Sequence, residues 1–146
     1  MKILKAPVFL LFFIFLSGCA QPQAEHCAVV FPDGFRIACE VAETPQEIQT
    51  GLMWRESLAA DRGMLFVMPA NSTTPFWMKN TRIPLDIIFM GEDYSIASIS
   101  RAVPCTADPC PRYQPKSPYA FVLEANAGTA AAHNASEGTR LAVSIT

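Results

Sequence analysis

This sequence predicts a mostly β (α+β) fold, a small single-domain antiparallel sheet of barrel-like form carrying two short helices. Three observations lead there. The 146 residues suffice for one domain. Apolar runs rich in β-branched and aromatic residues recur along the chain, each bounded by Gly, Pro, Asn or Asp. Helix-start signals and alanine-rich runs occur in only two short stretches, near Thr44 and near Thr129.

The first stretch stands apart from the fold. A basic start, Met1-Lys2-Ile3-Leu4-Lys5, precedes an unbroken apolar run from Val8 to Leu16, too short to span a bilayer and of signal-peptide length. It ends in Leu16-Ser17-Gly18-Cys19, which resembles the lipobox of bacterial lipoproteins. Residues 1–18 are therefore expected to be a signal peptide, with Cys19 as the lipidated residue and residues 19–26 as a short polar tether. Residues 27–146 form the domain. Acyl chains contribute roughly 0.8 kcal/mol per buried methylene, so the expected partner is a membrane reached through the N-terminal lipid. The expected location is the bacterial cell envelope, facing the periplasm, and Ala20 after the Cys points to the outer membrane.

The domain's elements follow in order. The runs 27–31 and 35–41 flank Pro32-Asp33-Gly34, in which Pro presets the turn and Gly supplies its left-handed residue. With Phe31 opposite Phe35, counting outward places Cys27 opposite Cys39, within bridging distance. Export favours disulfides, and Cys105 and Cys110 are expected to close a second, local loop. Thr44-Pro45-Gln46-Glu47 is a helix start, with Thr as N-cap, Pro first and Glu three residues on. Ile48 and Leu52 give that helix its buried stripe. The run from Gly63 to Pro69 is continuously apolar and reads as a buried strand.

Phe76-Trp77-Met78-Lys79-Asn80-Thr81 and Ile83-Pro84-Leu85-Asp86-Ile87-Ile88-Phe89 then read as a hairpin. A two-residue loop at Arg82-Ile83 would set Lys79 opposite Asp86 and Trp77 opposite Ile88. Arg-Ile is poor turn chemistry and Pro84 lacks an N–H, which leaves a three-residue loop shifted by one position as the alternative. Residues 94–103 form a further strand, in which Ile96 and Ile99 break the alternation and suggest a bulge. The segment 104–118 holds five prolines and the second cysteine pair, so a bridge would make it a fixed flap. Residues 119–124 are strand-like, 129–133 form a short helix, and Leu141, Val143 and Ile145 alternate in a closing strand.

Thr44-Pro45, Gly51-Leu52-Met53, Arg55, Gly63-Met64-Leu65-Phe66, Phe76-Trp77-Met78-Lys79-Asn80-Thr81, Pro84-Leu85-Asp86 and Val122-Leu123-Glu124-Ala125-Asn126-Ala127-Gly128 carry a resemblance. From about Ala38 onward the chain resembles domain-of-unknown-function family 192, also called uncharacterised protein family 0127. The resemblance implies a small, mostly β domain with short helices, often exported, for which no activity is established. That family's C-terminal turn usually reads like Lys-Pro-Gly-Asp, whereas Ser136-Glu137-Gly138-Thr139 stands here.

Composition excludes some functions. The formal net charge is −2, and loss of Lys2 and Lys5 with the signal would take it to −4, so no nucleic-acid partner is expected. Only His26 and His133 occur, which supports neither a Ser-His dyad nor a histidine zinc site, and no phosphate loop or dinucleotide fingerprint is found. No cofactor and no metal site is expected. What remains is a set of polar side chains in apolar surroundings: Arg55, Lys79, Asn80, Asp86 and Glu124, with Trp77 as a wall. These are the candidate ligand-binding residues of a small-ligand-binding or accessory module. Alternatives are an enzyme using Asp86 or Glu124 with Lys79, a Cu(I) site built from Met53, Met64, Met68, Met78 and Met90, and a structural module that docks an envelope protein.

Overall fold

A computed structural model describes residues 27–146; the expected signal peptide, Cys19 and the expected tether lie outside the described residues. Among the described residues nine strands and two helices follow in the order β1 (Cys27–Val30), β2 (Arg36–Ala42), α1 (Pro45–Thr50), β3 (Arg62–Ser72), β4 (Phe76–Trp77), β5 (Leu85–Met90), β6 (Ile96–Ala102), β7 (Arg112–Tyr113), β8 (Tyr119–Asn126), α2 (Thr129–Ala132) and β9 (Ala142–Ile145). Seven strands form one sheet in the order β6-β5-β8-β3-β2-β1-β9, while β4 and β7 pair apart from it. The sheet is open and mixed. Its edges β6 and β9 approach at one end through an isolated bridge between Ser95 and Arg140.

Most local expectations appear in the structure; the exception is the buried stripe of α1, a helix that ends at Thr50 with Ile48 only half-buried, so that Leu52 is buried from the turn beyond it. Cys27 faces Cys39 across the first hairpin and the two are bonded, as are Cys105 and Cys110. Gly34 takes φ 89° in the turn. The α1 start is a full capping box, with the Thr44 side chain accepting from the Glu47 N–H and the Glu47 carboxylate accepting from the Thr44 N–H. Between β5 and β6 the register slips by one, Met90 facing Ile96 and Phe89 facing Ser98, so Ala97 is the bulged residue.

Two expectations are corrected. The sheet is not wholly antiparallel, because β2 and β3 run parallel. The segment joining them, which includes α1, crosses the sheet face and returns the chain in the same direction, as a parallel pair requires. Nor do the Trp77 and Asp86 runs form a hairpin. Asn80, tolerant of the left-handed region, takes φ 58° and turns the chain, and β4 pairs with β7 (Phe76 with Tyr113, Trp77 with Arg112). Strand β5 lies instead between β6 and β8. Lys79 and Asp86 are therefore not cross-strand partners.

Side-chain alternation splits the core into two clusters. One face of the sheet carries Met64, Phe66, Leu85, Ile87, Phe89 and Val122 and is covered by Leu52, Phe76 and Met78 from the α1 and β4 segments. The other gathers Val29, Ile37, Leu65, Ile88, Met90, Ile96 and Leu123 under Ala130 and Leu141. Residues from both ends of the sheet meet in this second cluster, so the sheet curls strongly. His133 closes the curl, stacking on Phe35 with centroids 3.6 Å apart and lying 2.9 Å through Nδ1 from Asp33 Oδ2.

Candidate functional site

Trp77 is the last residue of β4 and is half-buried, held beside the sheet because Phe76 is anchored edge-on against Phe66 and Phe89. The β4–β7 pairing brings Arg112 to Trp77, and the turn that follows β4 brings Lys79 to it as well. Each cation lies 5.3 Å from the indole centroid. Lys79 and Arg112 are both exposed, and neither has an ion-pair partner among the described residues. Between these side chains, Asn80 and the Cys105–Cys110 loop runs a groove of about 370 Å³, in which Asp108 is the acidic residue. The loop is fixed by its disulfide and by the Val103 N–H, which donates to Tyr113 Oη at 3.2 Å.

Asn80 also ties this turn to the segment after α1. Its carbonyl accepts from the Trp54 N–H at 2.8 Å, and its Nδ2 lies 3.8 Å from Met53 Sδ. Trp77 has a second neighbour behind it. Together with Gly51, Met53, Phe66, Phe76 and Thr81 it lines a small cavity of about 30 Å³ into which Glu124 projects from β8. Glu124 is 5% exposed and sits between Met64 of β3 and Ile87 of β5 on the apolar face. No hydrogen bond or ion pair to its carboxyl occurs among the described residues, and burial alone pushes its pKa up to about 8.

Two glycines make this geometry possible. Gly63, on β3, passes so close to β8 that a Cβ there would lie 2.7 Å from the Glu124 carbonyl oxygen. Gly51 caps α1 at φ 46°, where a Cβ would press within 3.1 Å of the Phe66 ring and 3.8 Å of Glu124 Oε2.

The structure thus gathers Trp77, Lys79 and Asn80 in one groove, with Glu124 on the far side of Trp77. Arg55 is engaged elsewhere, in a bidentate pair with Glu40 at 2.5 and 2.8 Å that holds the Glu40 carboxyl below its ordinary pKa. Asp86 points to the opposite face, since it pairs with Ala125 while Glu124 pairs with Ile87. There its Oδ2 accepts from the Ala130 N–H at 3.0 Å and secures α2. Asp86, Glu124 and Lys79 therefore do not converge on one reacting centre. The methionines are likewise divided, Met64 and Met78 in one core cluster and Met90 in the other. Sequence reading missed Arg112. Its only local signal is a cation in the Pro111-Arg112-Tyr113 run, and its role depends on a pairing between two-residue strands far apart in the chain.

The sequence profile of a family described as Uncharacterized ACR (DUF192) matches residues 28–143. Similar crystal structures include the following two. A Sinorhizobium meliloti 1021 protein, provisionally described as a transcription regulator, is 35% identical with a TM-score of 0.69, over 80% of this chain and 91% of that one. A protein of unknown function from Novosphingobium aromaticivorans DSM 12444 is also 35% identical, with a TM-score of 0.70 over 81% of this chain and 82% of the other. No curated protein matches the chain.

Proposed function

This chain belongs to the DUF192 family, which has no established activity, and from that premise we propose a lipid-anchored envelope module whose Trp77 groove binds a small anionic ligand. One observation carries the reading: Lys79 and Arg112 converge on a single indole, exposed and without acidic partners among the described residues, in the lining of a groove large enough for a small molecule. Both cations line that groove, and a carboxylate or phosphate bound in it gains charge-assisted hydrogen bonds from them. Asn80 adds an amide for orientation, and Trp77 offers an apolar wall to the rest of the ligand. Asp108 on the loop lowers the local positive charge and favours a ligand of one or two negative charges over a polyanion. The formal net charge of −2 argues the same way against nucleic acid.

The envelope location rests on the lipobox-like Leu16-Ser17-Gly18-Cys19 and is supported by the two disulfides, which persist in oxidising compartments. The groove is tested by thermal denaturation with citrate and with inorganic phosphate at constant ionic strength. Either anion raises the melting temperature of the wild type. Lys79→Ala and Arg112→Ala each reduce the shift and together abolish it, without lowering the melting temperature of the free protein by more than a degree or so, since both side chains are exposed. A shift that survives in the double variant, or no shift with either anion, removes the proposal.

A further inference from the structure

We infer that the cavity behind Trp77 is a receptor for the ammonium head of a small primary amine, with Glu124 as its counter-ion. The inference is independent of the anion groove, although the two sites share Trp77 as a wall. It begins from a cost. Glu124 occupies the apolar row between Ile87 and Met64, where an aliphatic side chain would pack without penalty, and its carboxyl has no hydrogen-bond or charge partner among the described residues. A polar group kept at such a position against the interest of the fold marks a site of use.

The surroundings select the chemistry of the occupant. Phe66, Phe76 and Trp77 line it with aromatic rings, Met53 with a polarisable thioether, and the C-terminal end of α1, where a helix carries partial negative charge, borders it at Thr50 and Gly51. Each of these features favours a cation, and among the described residues no cationic side chain lines the cavity to take that place. Thr81 adds a buried hydroxyl within the same wall. A volume of about 30 Å³ holds one or two water-sized groups, which suits an ammonium head and excludes a quaternary one. A divalent metal is not accommodated, since one carboxylate is too few ligands and no group of three His, Cys, Asp or Glu able to hold a metal ion occurs among the described residues.

Binding has a defined proton balance. At neutral pH the Glu124 carboxyl gives its proton to solvent and the resulting carboxylate pairs with the incoming ammonium, so binding strengthens as pH rises towards about 8. Other charges on the packed elements are engaged or turned away: Glu47 of α1 caps its own helix, Glu40 of β2 is held by Arg55, Arg62 of β3 is exposed near Glu40, and Lys79 lies along Trp77. Within the cavity wall Glu124 is the titrating group.

The probe is methylammonium chloride, with tetramethylammonium chloride and sodium chloride at equal ionic strength as controls. Methylammonium raises the wild-type melting temperature by several degrees at pH 8 and by less at pH 6, and neither control does so. Nuclear Overhauser contacts from the probe methyl to the Met53 methyl and the Phe66 ring place it in the cavity, a readout that needs no variant to fold. Glu124→Gln keeps the volume and loses both effects. A cavity that holds only water gives no contacts and no shift and overturns the proposal, as does a shift that persists in Glu124→Gln or is matched by either control.

Discussion

Glu124→Gln should stabilise the protein, and by an amount that grows with pH. The folded state holds the carboxyl pKa at about 8, against an ordinary 4.5, through burial alone. Between those two values the unfolded chain has released this proton while the folded chain retains it, so folding takes up a proton and stability falls as pH rises. Each unit costs about 1.4 kcal/mol. From 4.5 to pH 7 is two and a half units, which amounts to about 3 kcal/mol, and the loss levels off above pH 8 at about 5 kcal/mol. Glutamine has nearly the same shape and does not titrate. Its own unpaired amide costs the same at every pH, so it cancels when the difference between the two proteins is followed across pH. Urea denaturation of both proteins at pH 4, 5, 6, 7 and 8 reads that difference. It should move by about 3 kcal/mol in favour of Gln between pH 4 and 7. A difference that stays constant within about 0.5 kcal/mol means the carboxyl is solvated or partnered in the folded state and its burial is misjudged.

Three further outcomes are expected. Because Lys79 lies along Trp77 and Asp86 secures α2 on the opposite face, Lys79→Met and Asp86→Leu should be additive within about 0.5 kcal/mol in a double-mutant cycle; a coupling of a few kcal/mol would restore the hairpin pairing. Replacing both Cys27 and Cys39 by Ser should cost about 3 kcal/mol in denaturant unfolding, from a bridge spanning 12 positions, and an unchanged midpoint would contradict it. Cys19→Ser should move the protein from the membrane to the soluble fraction and end fatty-acid labelling, whereas continued labelling would exclude Cys19 as the anchor.

Local chemistry in this chain was readable and long-range pairing was not. Thr44, Pro45 and Glu47 announce the capping box because its bonds span only three residues. Pro32-Asp33-Gly34 sets the register that brings Cys27 to Cys39, and the broken alternation at Ile96 and Ile99 reports the bulge at Ala97. The parallel β2–β3 pair leaves no such trace, since direction is decided by how the α1 segment crosses the sheet. The Trp77 run failed for a related reason. Its flanking apolar residues fit a hairpin with β5, yet they are buried by packing Phe76 and Met78 onto the sheet face, with β7 as the strand partner. Glu124 could be picked out as an acid in an apolar run, but its lack of a charge partner among the described residues depends on Met64 and Ile87 arriving on either side. Arg112 became part of the groove only through a contact that chain spacing does not encode.

The anion groove is tested most directly by the fluorescence of Trp77. The chain has two tryptophans, and Trp54 is 58% exposed, so Trp54→Phe leaves Trp77 as the sole indole at little cost. Titrating that protein with citrate at constant ionic strength should give a saturable change in emission that is lost in Lys79→Ala/Arg112→Ala. A linear, non-saturating response, or an identical curve in the double variant, would show that the cations beside Trp77 hold no anion.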